Sequence, residues 1–367
     1  MLKIDRRLLA HFDWPLLLLA LLVVVCGLVT VTSASHHAGQ LISRLALRQI
    51  LWAAAGLGLL LLMLSFDYHR LERYGYVFYA ASVILLILVP FVGTSGGGAR
   101  RWLPLGPFSI QPSEFAKIGV IIALARFLHR EVGERPLSLW TILVACLFFG
   151  LPAAFILKQP DLGTVIAIGM AAASILLIAG LRIRWILAVV VALALAAPTI
   201  WSHLKPYQQR RILTFIDPDS DPLGAGYHVI QSKIAIGSGM LQGKGYMSGT
   251  QNRLNFLPEQ HTDFIFSVFA EEWGFLGALV LIALYMALLI RCFIVASRAR
   301  DSFGVLLAAG LTAGIFCQVV VNIGMATGSM PVVGITLPFL SYGGSSMLAC
   351  LMSIGLLMNI SMRRFTF

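Results

Sequence analysis

Apolar runs long enough to cross a bilayer recur along most of this 367-residue chain, and they limit the folds open to it. Leu16 to Val31, Ile50 to Leu64, Val77 to Phe91 and Leu276 to Ile290 each come near the ~20 residues that span a hydrocarbon core. No water reaches the backbone there, so each segment must satisfy its own N–H and C=O groups, which a helix does. A membrane barrel would show short strands of alternating polarity, and that pattern is absent. Composition agrees: 59% of residues are hydrophobic and 12% charged, against about one quarter charged in an ordinary soluble protein. The expected fold is an all-α polytopic membrane protein, a single domain over residues 1–367. About ten transmembrane helices are expected, near 14–32, 48–65, 74–92, 113–128, 139–157, 164–181, 185–201, 264–290, 304–325 and 343–361.

In a soluble chain a net charge of +11 would suggest nucleic acid, but no basic arm or aromatic-basic stripe is present. Topology accounts for it better. With the N-terminus inside, fifteen Lys and Arg fall in cytoplasmic segments and five in the short outer loops, which fits the positive-inside rule. Both termini are therefore expected in the cytoplasm. The basic start, the first apolar run and Ser33-Ala34-Ser35 could be read as a cleaved signal peptide. The run is slightly long for that and further spans follow, so an uncleaved first span is expected. The five cysteines are scattered singly with no CxxC pair or Cys/His cluster, so neither a disulfide framework nor a zinc site is indicated.

Polarity collects on one face. The long connection 202–263 carries six Lys or Arg, five Asp or Glu and seven glycines. Gly93 to Gln111, Lys158-Gln159-Pro160-Asp161 and Ala326 to Gly344 are the other polar connections, and the expected topology puts all four outside the cytoplasm. Two tempting motifs fail. Asp217-Pro218-Asp219-Ser220-Asp221 opens like a calcium loop but lacks the turn glycine and the closing Glu. The glycine-rich run Gly237 to Gly245 does not have the spacing of a phosphate loop.

Charges within spans are costly and usually mark a polar cavity. Glu114 and Lys117, three residues apart, can pair on one helix face, as a packing device or as part of a site. Glu271 and Glu272 lie a turn or two into span eight, where one of the two could instead snorkel to the interface, and Asp161 lies at the mouth of span six. In Leu257-Pro258-Glu259-Gln260-His261-Thr262-Asp263, a Pro-led turn delivers Asp263 to the point where the long loop meets the apolar start of span eight. Desolvation there would raise its pKa, which suits a general base. Equally, Thr262 or Asp263 could simply cap the helix. His261 reads as a hydrogen-bonding loop histidine. Gly310 and Gly314 have the small-xxx-small spacing of a close helix contact, expected within the protein.

Taken together, these segments resemble the SEDS family of shape, elongation, division and sporulation proteins. The resemblance rests on Arg101-Trp102-Leu103, Gln111-Pro112-Ser113-Glu114-Phe115-Ala116-Lys117, Gln159-Pro160-Asp161-Leu162-Gly163-Thr164 and Tyr207-Gln208-Gln209-Arg210. It continues through Gly226-Tyr227, Gln231-Ser232, Leu257 to Asp263, Ala270-Glu271-Glu272, Asn322-Ile323-Gly324 and Pro338 to Ser345, in order over nearly the whole chain. Gly249-Thr250-Gln251 and Asn255-Phe256-Leu257 are similar to the elongation branch rather than the division branch. Met240 departs from it, standing where the family usually has a second glycine.

The resemblance implies a glycosyltransferase that polymerises lipid II into β-1,4 glycan strands on the outer leaflet during cell elongation and rod-shape maintenance. The family's essential loop aspartate maps onto Asp263, which turns the reading of that residue towards catalysis. The chemistry would be an inverting displacement, with one base and no carboxylate nucleophile. Arg101, Lys117, Lys158 and Arg210 are candidates for the pyrophosphate, and Tyr227, Gln231 and Ser232 for the sugar site. Glu114, Asp161 and His261 complete the expected substrate-binding set. No cofactor is required because the donor carries its own activation. A divalent cation, Mg or Mn, could sit on the pyrophosphate, although no metal-binding motif supports one. The implied partners are a class B penicillin-binding protein transpeptidase and other elongation-complex membrane proteins. A lipid II flippase and a non-catalytic cell-wall scaffold are the rival readings. A flippase should place polar groups at mid-membrane, often in repeat halves, rather than on one face.

Overall fold

The computed structural model describes residues 11–36, 43–96, 99–106, 108–132, 137–204, 206–217, 224–254, 256 and 259–364. Every expected span falls on a helix: α1 (Trp14–Ala34), α2 (Arg44–Ser65), α3 (His69–Val92), α4 (Pro112–Leu128), α5 (Leu139–Lys158), α6 (Leu162–Ile178), α7 (Ile183–His203), α11 (Ile265–Ser297), α12 (Ser302–Thr327) and α13 (Gly344–Arg363). Seven of these are long and apolar enough to cross a membrane; α4 and α6 are 17 residues each. The chain is a multi-pass helical membrane protein.

Local sequence sets many of the ends. Asp13, Ser43, Ser138, Asp161 and Asp301 each accept a backbone N–H in the first turn of the helix that follows. Gly328 closes α12 in the left-handed conformation, at φ 73°. Two features go beyond the expected all-helical plan. The Gly93 to Gln111 connection forms an antiparallel sheet, β1 (Thr94–Gly96), β2 (Ala99–Leu105) and β3 (Phe108–Ile110), in the order β1-β2-β3. Among the described residues, the long polar connection holds three helices rather than loop alone, α8 (Pro206–Ile216), α9 (Ala225–Ser238) and α10 (Thr250–Arg253).

The centre of the bundle is α13, packed against α2 and touched by α1, α4, α11 and α12. Small residues allow the close approach: a Cβ on Gly56 would meet the Leu351 side chain, and one on Gly355 the Leu60 backbone. In lipid, where tails are as apolar as side chains, such contacts carry much of the helix association. Gly310 packs within the protein, against Ile175 and Ile121, whereas a Cβ on Gly314 would meet nothing within 4 Å. The tightest contact is Gly27, where an added Cβ would lie 2.2 Å from the Phe339 carbonyl oxygen. Backbone cannot step aside as a flexible side chain can. Gly27→Ala is therefore expected to destabilise the protein by ~1–3 kcal/mol, read as a lower Tm in detergent.

On the face expected in the cytoplasm, Asp13 ties three elements together. Its carboxylate caps α1 at Leu16 N, accepts from Arg291 Nε at 2.9 Å on α11 and from Ser361 Oγ at 3.0 Å on α13.

Candidate functional site

The connection after α12 is the floor of the site. Asn322 of α12 donates through Nδ2 to the Ile335 carbonyl at 2.7 Å and to the Asp263 carbonyl at 2.9 Å. Gln49, fully buried on α2, donates to the Ser341 carbonyl and accepts from Gly343 N. Tyr285 Oη donates to the Pro338 carbonyl at 2.6 Å. Phe339 is held at φ 65°, a costly conformation for a residue with a Cβ, and its ring is buried. The turn before α11 docks on this floor: Tyr342 N donates to the His261 carbonyl and Ser341 Oγ to the Thr262 carbonyl.

Asp263 stands at that junction, partly exposed, beside Gly334. It does not cap the helix. The N-cap of α11 is Phe264, with no side-chain cap bond, and the Thr262 hydroxyl donates instead to Glu259. Among the described residues, no donor reaches the Asp263 carboxyl. Burial pushes that carboxyl up to about 7; Glu259 and Asp161 add to the rise, while Arg211 and Arg101 oppose it. A carboxylate so placed is a usable proton acceptor near neutral pH. His261 is half-buried, its ring 6.0 Å from that of Tyr342, and burial lowers its pKa, favouring the neutral imidazole.

The other expected site residues divide by what holds them. Arg101, on β2, donates from Nε to the Gln159 carbonyl and from Nη2 to the Pro160 carbonyl, clamping the α5–α6 turn. Asp161 is buried there, accepting from Thr164 N and Oγ1 and from Gln111 Nε2, whose backbone N–H in turn meets Ser345 Oγ. The site thus joins the sheet, α4, α6 and α13. Glu114 and Lys117 pair at 2.8 Å, both buried on α4, as their spacing suggests. Lys158 is exposed at the end of α5, its ammonium 5.9 Å from the Phe155 ring centre. On α9, Tyr227 and Gln231 are half-buried. Ser232 is fully buried, its hydroxyl bonded to Ser267 Oγ and the Ala326 carbonyl, so it joins α9 to α11 and α12. Arg210 lies in α8, and its side chain lies outside the described residues, as do Leu257 and Pro258. Among the described residues, no group of three or more His, Cys, Asp or Glu is placed to hold a metal.

Glu271 and Glu272 anchor the long connection. Glu271 Oε1 accepts from Lys244 Nζ at 2.7 Å, Thr250 N at 2.8 Å, Thr250 Oγ1 and Gln251 N. Glu272 accepts from the Ser33 hydroxyl on α1. The glycine-rich run threads this point. Lys244 N and Gly245 N donate to the carbonyls of Glu271 and Glu272, and α11 breaks at Gly274, with φ 65° and ψ −167°. A Cβ on Gly274 would lie 2.3 Å from Gly243 N, so only glycine fits the crossing.

Sequence reading missed Arg211 and Glu259, the charges that most directly bias Asp263. Arg211, Thr214 and Phe215 share one face of α8 and line a common pocket, an arrangement hidden in a segment that reads as loop.

A bundle of apolar helices long enough to cross a membrane, with a polar junction around Asp263 at one end, is the architecture of a polytopic membrane protein. The family profile described as "Cell cycle protein", covering FtsW, RodA and SpoVE, matches residues 13–365, and the chain belongs to this SEDS family. Among its relatives, the peptidoglycan glycosyltransferase MrdB of Escherichia coli is 43% identical, the alignment covering 96% of this chain and 94% of the relative. The peptidoglycan glycosyltransferase RodA of Treponema pallidum is 34% identical, covering 98% and 99%. Of solved structures, a chain of a peptidoglycan synthase complex that coordinates polymerization and crosslinking superposes with TM-score 0.84 at 36% identity, covering 97% of this chain and 99% of that one. The rod shape determining protein RodA of Thermus thermophilus gives 0.73 at 32% identity, covering 97% and 98%.

Proposed function

We propose that this chain is a peptidoglycan glycosyltransferase that polymerises lipid II into β-1,4 glycan strands at the outer leaflet during cell elongation, with Asp263 as its general base. The 4-hydroxyl oxygen of the acceptor GlcNAc forms a bond to C1 of the donor MurNAc while the bond from C1 to the undecaprenyl diphosphate oxygen breaks. The hydroxyl proton passes to Asp263, and the diphosphate leaves with the bonding pair. Attack from the opposite side inverts an α-linked donor to a β-linked product in one step, so a second carboxylate is not needed as nucleophile.

The single observation that carries this reading is Asp263. It is a carboxyl without a hydrogen-bond donor among the described residues, raised towards neutrality, at the mouth of the polar face. Arg101 and Asp161 serve by fixing the α5–α6 turn beside it, and the Glu114–Lys117 pair by holding charge within α4. Lys158, Arg210, Tyr227, Gln231 and His261 are the proposed contacts to the diphosphate and sugars, with Ser232 supporting them from beneath. No cofactor is required, and Mg or Mn would act only to screen the diphosphate. The proposed partner is a class B penicillin-binding protein, which would cross-link the strands made here.

The pH profile tests the base. Polymerisation requires the carboxylate, so the rate should fall as pH drops through about 7. Glu259→Gln removes a neighbouring negative charge while keeping an acceptor for Thr262, so the limb should move to lower pH. A limb that stays in place would separate Asp263 from the rate.

A further inference from the structure

At the face expected in the cytoplasm, a cavity of about 260 Å³ opens between the end of α2, the first turns of α3 and α13. Met63, Phe66, Leu71 and Tyr74 line its sides, and the buried Leu356 lies at its floor. Its buried polar group is already engaged: Asn359 donates through Nδ2 to the Met63 and Phe66 carbonyls. Water in such a hollow finds few partners, whereas hydrocarbon gives up none. The medium around these helices is lipid, so the occupant at hand is an acyl chain. A partner helix would run along a span for several turns. This opening covers only the last turn of α2 and the first two of α3.

The rim carries the matching charge. Arg70 lines the opening and is exposed, and among the described residues no donor of its guanidinium is engaged. Arg73, three residues on and on the same side of α3, is also exposed, with its guanidinium 5.7 Å from the Tyr74 ring centre. The neighbouring acids are occupied. Asp67 accepts from His69 N at 3.0 Å and lies 3.6 Å from Arg363 Nη1, and Glu72 lies 3.2 Å from His129 Nε2. Two uncommitted cations therefore stand above an apolar hollow. The cytoplasmic leaflet is the one whose anionic lipids draw basic groups between spans.

We propose that this cavity binds an anionic phospholipid of the cytoplasmic leaflet, with one acyl chain between Met63, Leu71 and Leu356 and the phosphate on Arg70 and Arg73. Bound there, the lipid bridges α2 and α3 to α13, the helix at the centre of the bundle. The site does not depend on the polymerase reading. It lies near the end of α13, whereas the turn that carries Asp263 docks just before its start.

The test uses the purified full chain in mixed micelles. The probe is phosphatidylglycerol with a photoreactive acyl chain, and the labelled peptides are mapped. Labelling should saturate and fall on residues 63–74 and 356–359. Unlabelled phosphatidylglycerol should compete, and phosphatidylcholine should compete several-fold less well. Arg70→Gln should weaken labelling about fivefold, the scale of one cation near a membrane surface. Arg184→Gln removes an exposed cation on the same expected face but outside the cavity, and should leave labelling unchanged. Both side chains are exposed, so neither change threatens the fold. Glycerol phosphate, which has the phosphate without the chains, should not compete. Labelling that fails to saturate or falls elsewhere would overturn the proposal, as would equal competition by phosphatidylcholine or equal loss in Arg70→Gln and Arg184→Gln. Competition by glycerol phosphate would also overturn it, in favour of a site for a soluble phosphate.

Discussion

Asp263→Ala should abolish glycan polymerisation while leaving the fold almost untouched. A general base contributes typically ~10²–10⁴-fold, so residual activity should be at or below one per cent of wild type. The fold should survive because what holds this residue is its backbone. Asn322 grips the Asp263 carbonyl, and among the described residues no donor reaches the carboxyl. The substitution also removes a partly buried carboxylate whose pKa is raised, so the Tm should stay level or rise. Asp263→Asn, nearly isosteric, should be equally inactive. A purified Asp263→Ala protein with wild-type turnover would remove the residue from the chemistry.

Glu271→Ala should do the reverse, striking the structure first. Its side chain is fully buried, and one oxygen gathers the Lys244 ammonium with the N–H groups of Thr250 and Gln251. Lys244 is partly exposed and can return to water, but the two backbone donors need an acceptor. Their loss should cost about 3 kcal/mol, felt as release of the connection from α11. Limited proteolysis within residues 239–254 reads this directly. Rapid cleavage is expected in Glu271→Ala and much slower cleavage in Glu271→Gln, which keeps a carbonyl oxygen at the same place. Equal resistance in wild type and Glu271→Ala would show that the latch does not hold the connection.

The membrane-crossing helices were legible because lipid leaves a chain few options: an apolar run of bilayer length has to be a helix. The Glu114–Lys117 pair was legible for the same local reason, since positions i and i+3 meet on any helix. What stayed hidden depends on contacts between distant segments. Nothing near Glu271 in sequence says that Lys244 and Thr250 will close on it, so its burial read as a site signal rather than an anchor. Gly274 sits in an apolar run that looks continuous, and its break appears only when the Gly243 backbone crosses it. The helices α8 and α9 were concealed by glycine, proline and charge, which outside the membrane read as loop. Arg210 and Arg211 are adjacent, and only the orientation of α8 sets Arg211 with Thr214 against Val229 and Met330. For Asp263, residue chemistry left capping and catalysis balanced. The structure sets capping aside, because Phe264 occupies the cap without a side-chain bond.

The most direct test reconstitutes the purified chain with a class B penicillin-binding protein in liposomes carrying labelled lipid II, and then follows the label. The expected result is growth of long glycan strands, cut by a muramidase, with the rate falling as the pH is lowered through about 7. Label that crosses between leaflets without joining into strands would contradict the account and make this chain a lipid transporter.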